Sequence, residues 1–182
     1  MASAFGHAFA AIAIRQGFSK NETLKFSLLG IFCAVVPDAD AIGYKLGVPY
    51  EGFFGHRGFT HSILFAVLLG MLVTALFYRA TLKNKKAFYY ILFFTLCGIS
   101  HDVLDAMTSG GLGVAFFSPF DNTRYFFPWR PIKVSPIGIA KFFGERGLRV
   151  IKSELVWIGI PCTIFIVTAR ILRNIFLRNN IT

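Results

Sequence analysis

The chain has 182 residues, of which 55% are hydrophobic and only 15% are charged, and its formal net charge is +10. Soluble proteins carry roughly 25% charged residues, so this composition excludes an ordinary soluble domain and predicts a single integral membrane domain over residues 1–182. The basic residues flank apolar stretches, which is typical of contact with anionic lipid headgroups and argues against nucleic acid as a partner. The three cysteines lie inside apolar stretches without a C-x-x-C spacing, which indicates buried residues rather than disulfides or metal ligands.

Five apolar stretches predict an all-α, polytopic membrane bundle of about five helices. In chain order they are residues 4–14, 24–36, 62–78, 87–100 and 155–172. The third and fifth approach the roughly 20 residues that cross a bilayer as a helix. The second and fourth are shorter, but each continues directly into an acidic motif, so we expect their helices to extend past the apolar part. The first is too short to span by itself, and we expect a re-entrant or tilted helix there.

Histidine and aspartate residues concentrate in three motifs at the ends of these stretches. The motifs are V-P-D-A-D at 36–40, H-R-G-F-T-H at 56–61 and H-D-V-L-D at 101–105, and His7 lies in the first stretch. Because consecutive helices reverse direction, these residues all fall on one face of the bundle, opposite the basic loops 15–25 and 79–86. The positive-inside rule then places the basic loops in the cytoplasm and the motif face outside it.

The segment between the fourth and fifth stretches is irregular, aromatic and basic. It contains G-G-L-G at 110–113, F-F-S-P-F-D at 116–121 and Y-F-F-P-W-R-P-I at 125–132. Proline and aromatic residues at this density argue against a long helix and suit the headgroup layer on the motif face. Residues 139–151 have the pattern of a basic amphipathic helix on the membrane, and a solvated cap over the bundle is the alternative.

The motifs predict a metal site. Imidazole and carboxylate without thiolate form the ligand set of a hydrolytic metal centre. His101 and Asp105 share one helix face, and a turn at 57–58 would bring His56 and His61 together. The candidate ligands are His7, Asp38, Asp40, His56, His61, His101 and Asp105. Seven ligands exceed the need of one ion, so we expect two divalent ions, with zinc as the first choice and manganese or iron as alternatives.

Two further residues are assigned to the catalytic set. Arg57 lies within the histidine motif, where it would hold a substrate oxyanion or form a salt bridge to Asp38 or Asp40. Asp102 points away from the face of the 101–105 motif that carries the ligands, and it is a partner behind them or a solvated residue. Haem is disfavoured because carboxylates crowd the histidines, and no G-x-S-x-G motif supports a serine triad.

These motifs resemble the LexA-binding, inner-membrane-associated hydrolases, also described as membrane-bound metal-dependent hydrolases. The resemblance covers most of the chain and rests on His7, the three motifs and F-P-W-R-P-I at 127–132. It implies a bacterial inner-membrane protein with a helical core and hydrolase activity. It also implies a link to DNA damage, for which the chain carries no dedicated motif.

The order of the motifs is also similar to that of the zinc-dependent phospholipase C superfamily, whose members are all-helical enzymes with a metal cluster. That similarity implies as ligands His7, Asp38 or Asp40, His56 or His61, His101 and Asp105. The chain departs from the pattern because neither a histidine nor H-x-x-x-E follows residue 105, so two ions are expected rather than three.

Together with the bacterial inner-membrane location that the resemblance implies, the sequence predicts a metal-dependent hydrolase that cleaves a phosphoester in a phospholipid or another lipid-linked substrate. Metal-activated water would be the nucleophile. Two alternatives stay open: a membrane binding or regulatory protein with a structural metal, and a metal-dependent amide or carboxylester hydrolase.

Overall fold

A computed structural model describes residues 1–18, 23–136 and 142–179, and the regular structure within these ranges is helical. The α-helices are α1 Ala4–Arg15, α2 Leu24–Val35, α3 Ile63–Phe77, α4 Lys86–Ala106, α5 Glu145–Glu154 and α6 Ile160–Asn179. A π-helical turn, Leu155–Gly159, joins α5 and α6 into one continuous rod. The described residues therefore form five helical bodies, and the prediction of a helical membrane bundle is confirmed.

Three helices in the described ranges are long and apolar enough to cross a membrane: Leu24–Leu46, Lys86–Ala106 and Glu145–Phe176. The second and fourth stretches thus extend into their acidic motifs, as predicted. The third stretch forms α3 to within one residue at each end, and with 15 residues this helix is shorter than the three candidate spans. The hydroxyl of Ser62 caps its start by accepting from the Phe65 amide, and the helix ends before Tyr78.

Pro37 changes the type of helix instead of ending it. After α2, the 3-10 helix Val36–Leu46 carries both aspartates of V-P-D-A-D and ends at Gly47, whose φ is 77°. Proline fits the first turn of a helix because its missing amide would have no partner there. With three residues per turn, side chains two positions apart point to different sides. Asp38 and Asp40 therefore face different neighbours.

The core of the bundle has an aromatic half and a polar half. Phe26, Phe93 and Phe94 are fully buried between α2 and α4, and the rings of Phe26 and Phe93 stack with centroids 3.9 Å apart. The motifs occupy the other half, where α1 and α3 begin and α2 and α4 end. The basic loop 79–86 lies at the end away from the motifs, as expected. Residues 19–22 of the other basic loop lie outside the described residues.

The C-terminal rod runs beside α1. At the motif end, the carboxylate of Glu154 accepts from the amide and the hydroxyl of Ser3, each at 2.5 Å. At the other end, Arg173 donates to the carbonyls of Gln16 and Phe18. A carboxylate at a helix N-terminus binds unpaired amides and favours the helix dipole. Glu154 thus fixes the end of α1 that carries His7.

Residues 107–136 form no regular helix or strand, as predicted. The segment folds back over the histidine motif, where Arg124 donates to the carbonyls of His56 and Tyr50 at 2.7 and 2.8 Å. It therefore lies on the motif face. The helix predicted over 139–151 is present from Glu145, the first residue of α5, and residues 139–141 lie outside the described residues.

A side chain at position 70 should weaken the contact between α3 and α4. The Cβ of an alanine there would lie 2.6 Å from Oγ1 of Thr95 and 3.0 Å from the carbonyl oxygen of Ile91. We expect Gly70→Ala to lower the free energy of unfolding by about 1–3 kcal/mol. Thermal unfolding in detergent measures this. Gly159→Ala is the control, because its Cβ would meet no atom closer than 3.7 Å. Equal Tm values would contradict the prediction.

Candidate metal centre

Four helix ends place polar side chains in one buried cluster. Its members are His7 of α1, Asp38 of the 3-10 helix, His61 of the turn before α3, and His101 and Asp105 of α4. The exposed fraction of each side chain is 8% or less. The structure therefore brings together motifs that are distant in sequence, as helix reversal predicts.

The ring nitrogens of His61 and His101 face each other. Nδ1 of His101 lies 2.9 Å from the carbonyl oxygen of Ala34, and because a carbonyl only accepts, this nitrogen carries the proton. Nδ1 of His61 lies 3.1 Å from the carboxylate of Asp40 and donates in the same way. The two Nε2 atoms are 2.9 Å apart. Their lone pairs therefore need a cation between them, either a proton or a metal ion.

Asp38 and Asp105 complete a four-residue group with these histidines. Oδ1 of Asp38 lies 3.6 Å from both Nε2 atoms, and Oδ2 of Asp105 lies 3.9 Å from Nε2 of His61. A tetrahedral ion with bonds of 2.0–2.1 Å separates its ligands by about 3.3 Å, so the group fits an ion of that size. Neither oxygen of Asp38 has a hydrogen-bond partner in the described part of the chain. An ion would satisfy these buried oxygens, which are costly to leave unpaired.

His7 lies directly beside this group. Its ring stacks on His101 with centroids 3.9 Å apart, and its Nε2 lies 3.5 Å from Oδ1 of Asp105 and 3.9 Å from Oδ2 of Asp38. Among the described residues, neither ring nitrogen has a hydrogen-bond partner. A fully buried imidazole without hydrogen-bond partners among these residues is a further ligand available to a metal ion.

The carboxylate of Asp40 is saturated with hydrogen bonds. Its Oδ1 lies 2.6 Å from Nδ1 of His56. Its Oδ2 accepts from the hydroxyl of Thr60 at 2.7 Å and the amide of Arg57 at 3.2 Å, in addition to His61. Asp40, His56 and His61 form a second group close enough to hold an ion, but Asp40 would have to release these donors. As it stands, Asp40 orients two imidazoles, as carboxylates do behind metal-binding histidines.

His61 holds a proton in the metal-free protein. Burial disfavours the charged imidazolium, but the nearby carboxylates of Asp38 and Asp40 outweigh burial and raise the pKa of His61 to about 10. Both ring nitrogens of an imidazolium carry protons, so its Nε2 donates to Nε2 of His101. A metal ion between the two rings has to displace this proton.

A left-handed turn at Arg57 brings His56 and His61 together. Arg57 has a φ of 65°, a conformation that is costly for a residue other than glycine. The two histidine rings lie 5.4 Å apart on either side of this turn. A Cβ on Gly58 would lie 2.3 Å from the carbonyl oxygen of Phe53, so only glycine fits there. The predicted convergence of the two histidines is confirmed.

The side chain of Arg57 is fully buried and contacts Asp105. Its Nε lies 3.0 Å from Oδ2 of Asp105, and its other nitrogens donate to the carbonyl of Gly110 and the hydroxyl of Thr108, both at 2.9 Å. The side-chain salt bridge predicted to an aspartate of V-P-D-A-D is therefore wrong. Contact with a substrate oxyanion stays a prediction, and it would require Arg57 to release one of these partners.

Asp102 lies beside the cluster without joining it. Its exposed fraction is 1%, and its Oδ1 has no hydrogen-bond partner in the part of the chain that the structure describes. One helix position corresponds to about 100° of rotation, so Asp102 turns away from the face shared by His101 and Asp105. The alternative of a solvated residue is wrong because the side chain is buried. A catalytic role for Asp102 stays a prediction.

Comparison with known proteins identifies the family. The family model described as YdjM inner membrane protein matches residues 1–176. The chain belongs to this family. Inner membrane protein YbcI of Escherichia coli (strain K12) is 38% identical over 165 residues, which cover 88% of this chain and 92% of that protein. No solved structure matches. The family and the relative are described as inner membrane proteins, and the three candidate spans are consistent with that location. The inner-membrane part of the predicted resemblance is therefore confirmed, and its hydrolase part stays a prediction.

Three groups that position the cluster in this family member were missed by sequence reasoning. The amide of Ala2 donates to Oδ1 of Asp105 at 2.7 Å, the carbonyl of Ala34 accepts from His101, and the hydroxyl of Thr60 donates to Asp40. Main-chain groups leave no signature in a sequence. Thr60 offered the one available signal, because it is the hydroxyl residue inside the H-R-G-F-T-H motif.

Proposed function

We propose that this inner membrane protein is a metal-dependent hydrolase that cleaves a phosphoester in a phospholipid or another lipid-linked substrate. The observation that carries the proposal is the pair of Nε2 atoms 2.9 Å apart beside the unpaired oxygens of Asp38. An ion held by Asp38, His61, His101 and Asp105 would polarise a phosphoryl oxygen and activate water. Zinc suits this ligand set best, with manganese or iron as alternatives. A second ion, at the group that contains Asp40, stays a prediction.

The residues around the cluster orient its candidate metal ligands before any substrate binds. The carbonyl of Ala34 fixes the ring of His101, and Asp40 fixes the ring of His61. Arg57 balances the charge of Asp105 at 3.0 Å. Donors that are already oriented lose little freedom on binding, and this preorganisation supports a catalytic rather than an incidental site.

In our proposal, His56 moves a proton during the reaction. Asp40 holds its Nδ1 proton at 2.6 Å, which leaves Nε2 as the acceptor. The ring lines a polar cavity of about 310 Å³ together with Tyr50, Arg57 and Arg146. An imidazole oriented by a carboxylate and open to a polar cavity suits a general acid–base role. In our proposal, water and the polar product use this cavity.

Metal analysis combined with a hydrolysis assay tests the proposal. We expect the purified full-length protein to hold zinc, manganese or iron, and to hydrolyse phospholipid in mixed micelles until a chelator removes the metal. Readdition of the metal should restore turnover. Protein without any of these metals would overturn the proposal. Bound metal whose removal unfolds the protein, without turnover, would support a structural metal. Cleavage of carboxylesters or amides alone would support the alternative of a metal-dependent amide or carboxylester hydrolase.

We further propose that the cluster faces the side of the membrane away from the cytoplasm. The basic loop 79–86 lies at the opposite end of the bundle, and short basic loops stay in the cytoplasm. The C-terminal end of the rod lies on the same side of the bundle as this loop, because Arg173 of α6 contacts Gln16 and Phe18 there. A reporter enzyme fused after residue 182 should therefore be active in the cytoplasm. Activity of an extracytoplasmic reporter at that position would reverse the orientation.

A further inference from the structure

An apolar groove opens on the side of the bundle between α1 and α2 and reaches the metal centre. It has a volume of about 720 Å³, and its lining includes Phe5, Ala8, Leu28, Phe32 and Asp38. The exposed fractions of Phe5, Leu28 and Phe32 are 72%, 55% and 49%. Because Leu28 and Phe32 belong to a candidate span, the mouth of the groove faces lipid tails rather than water.

The length of the groove matches one leaflet of a bilayer. Leu28 and Asp38 lie on the continuous helix Leu24–Leu46. Ten residues of helix extend roughly 15 Å. The hydrocarbon core of a bilayer is about 30 Å thick, so one leaflet measures about 15 Å. A lipid of that leaflet can therefore lie along the groove with its polar end at Asp38.

Asp38 is the member of the four-residue group that lines the groove. The exposed fraction of its side chain is 8%, whereas the other three side chains are fully buried. Both of its oxygens lack hydrogen-bond partners in the described residues. The polar end of the groove is thus marked by a buried carboxylate without hydrogen-bond partners among these residues, and an ion bound there would attract an anionic headgroup that the carboxylate alone would repel.

We propose that the groove receives one hydrocarbon chain of a membrane phospholipid that enters laterally from the bilayer, and that it places the phosphoester of this lipid at Asp38. The inference rests on the proposed function. A lipid tail gains no hydrophobic free energy by moving from one apolar environment to another. The groove therefore acts by shape and position, and contact between headgroup and ion supplies the affinity.

Photo-crosslinking locates the lipid chain without relying on turnover. The full-length protein is reconstituted in vesicles of phosphatidylethanolamine and phosphatidylglycerol with a trace of phosphatidylglycerol that carries a diazirine in one acyl chain. We expect several-fold more labelling of Phe5, Leu28 and Phe32 than of Leu72 and Leu76 on α3, which lie outside the groove and have similar exposed fractions of 54% and 65%. Equal labelling of both sets would overturn the proposal.

A filled groove provides the second measurement. Ala8→Trp should lower labelling of Phe5 and Phe32 several-fold and abolish lipid turnover while the metal content is kept. Leu76→Trp adds the same ring outside the groove and should change neither. Ala8→Leu serves if the tryptophan variant does not fold. Lipid turnover at the wild-type rate in the filled variant would contradict the lipid groove and leave the proposed hydrolase activity intact. Labelling of the groove in a protein that shows no turnover would support the lipid site and contradict the proposed hydrolase activity.

Discussion

Replacing His101 with alanine should abolish metal binding, whereas Asp40→Asn should weaken it by about 10–100-fold. His101 supplies one of the two Nε2 atoms that face each other across 2.9 Å, so its loss removes a ligand. Asp40 contacts the opposite nitrogen of His61 and acts only by orienting that ring. Phospholipid turnover should disappear in the first variant and return in the second when the metal concentration is raised.

Metal affinity of the chelator-treated protein, measured by competition with a chromogenic chelator in detergent, separates the two cases. Asp121→Asn is the matched control, because Asp121 is half-buried and contacts Thr123 and Tyr125 rather than the cluster. Its affinity should equal that of the wild type. If Asp40→Asn loses metal as completely as His101→Ala, then Asp40 is itself a ligand and the second group is the ion site.

The convergence of the motifs could be predicted from the sequence because it depends on chain direction alone. Helices that cross a layer in alternation return every second connection to the same face. This places His7, Asp38, His61 and His101 at one end of the bundle whatever the details of packing. Side-chain chemistry then indicates a metal, since imidazole and carboxylate at one buried place have few other uses.

The bounds of α3 could be read from hydropathy to within one residue at each end. The apolar stretch covers residues 62–78, and the helix begins at Ile63 and ends at Phe77. Its start depends on the cap formed by Ser62 after the 3-10 turn, and its end on the conformation of Tyr78. Hydropathy does not reveal these two causes, because it measures the preference for lipid over water and carries no information about where backbone hydrogen bonding stops.

The different roles of Asp38 and Asp40 could not be predicted from the sequence. Both residues looked like ligands, because spacing alone does not reveal that Pro37 lies in the first turn of a 3-10 helix. Three residues per turn direct Asp38 to the facing Nε2 atoms and Asp40 to the donors around His56. The partner of Arg57 depended on the same geometry, since Asp105 is 48 positions away in the chain.

Raising the pH should destabilise the metal-free protein and strengthen metal binding. The pKa of His61 is about 10 in the folded protein and about 6.5 in an unfolded chain. A raised pKa stabilises the fold fully below pH 6.5, and this contribution disappears as the pH rises through 10. It amounts to about 5 kcal/mol at most. A metal ion has to displace the same proton, so its affinity should increase by up to about tenfold per pH unit between pH 7 and 9.

Thermal unfolding of the chelator-treated protein and metal competition, both carried out between pH 7 and 9, test the two signs together. His61→Gln is the matched variant, because glutamine keeps the polar contacts but has no proton to lose in this range. Its Tm should be less sensitive to pH than that of the wild type, and its residual metal affinity should vary little. A wild-type affinity that is independent of pH would mean that no proton lies between His61 and His101. The facing nitrogens would then have to be explained by a different pair of tautomers, in which Asp40 or Ala34 loses its hydrogen bond.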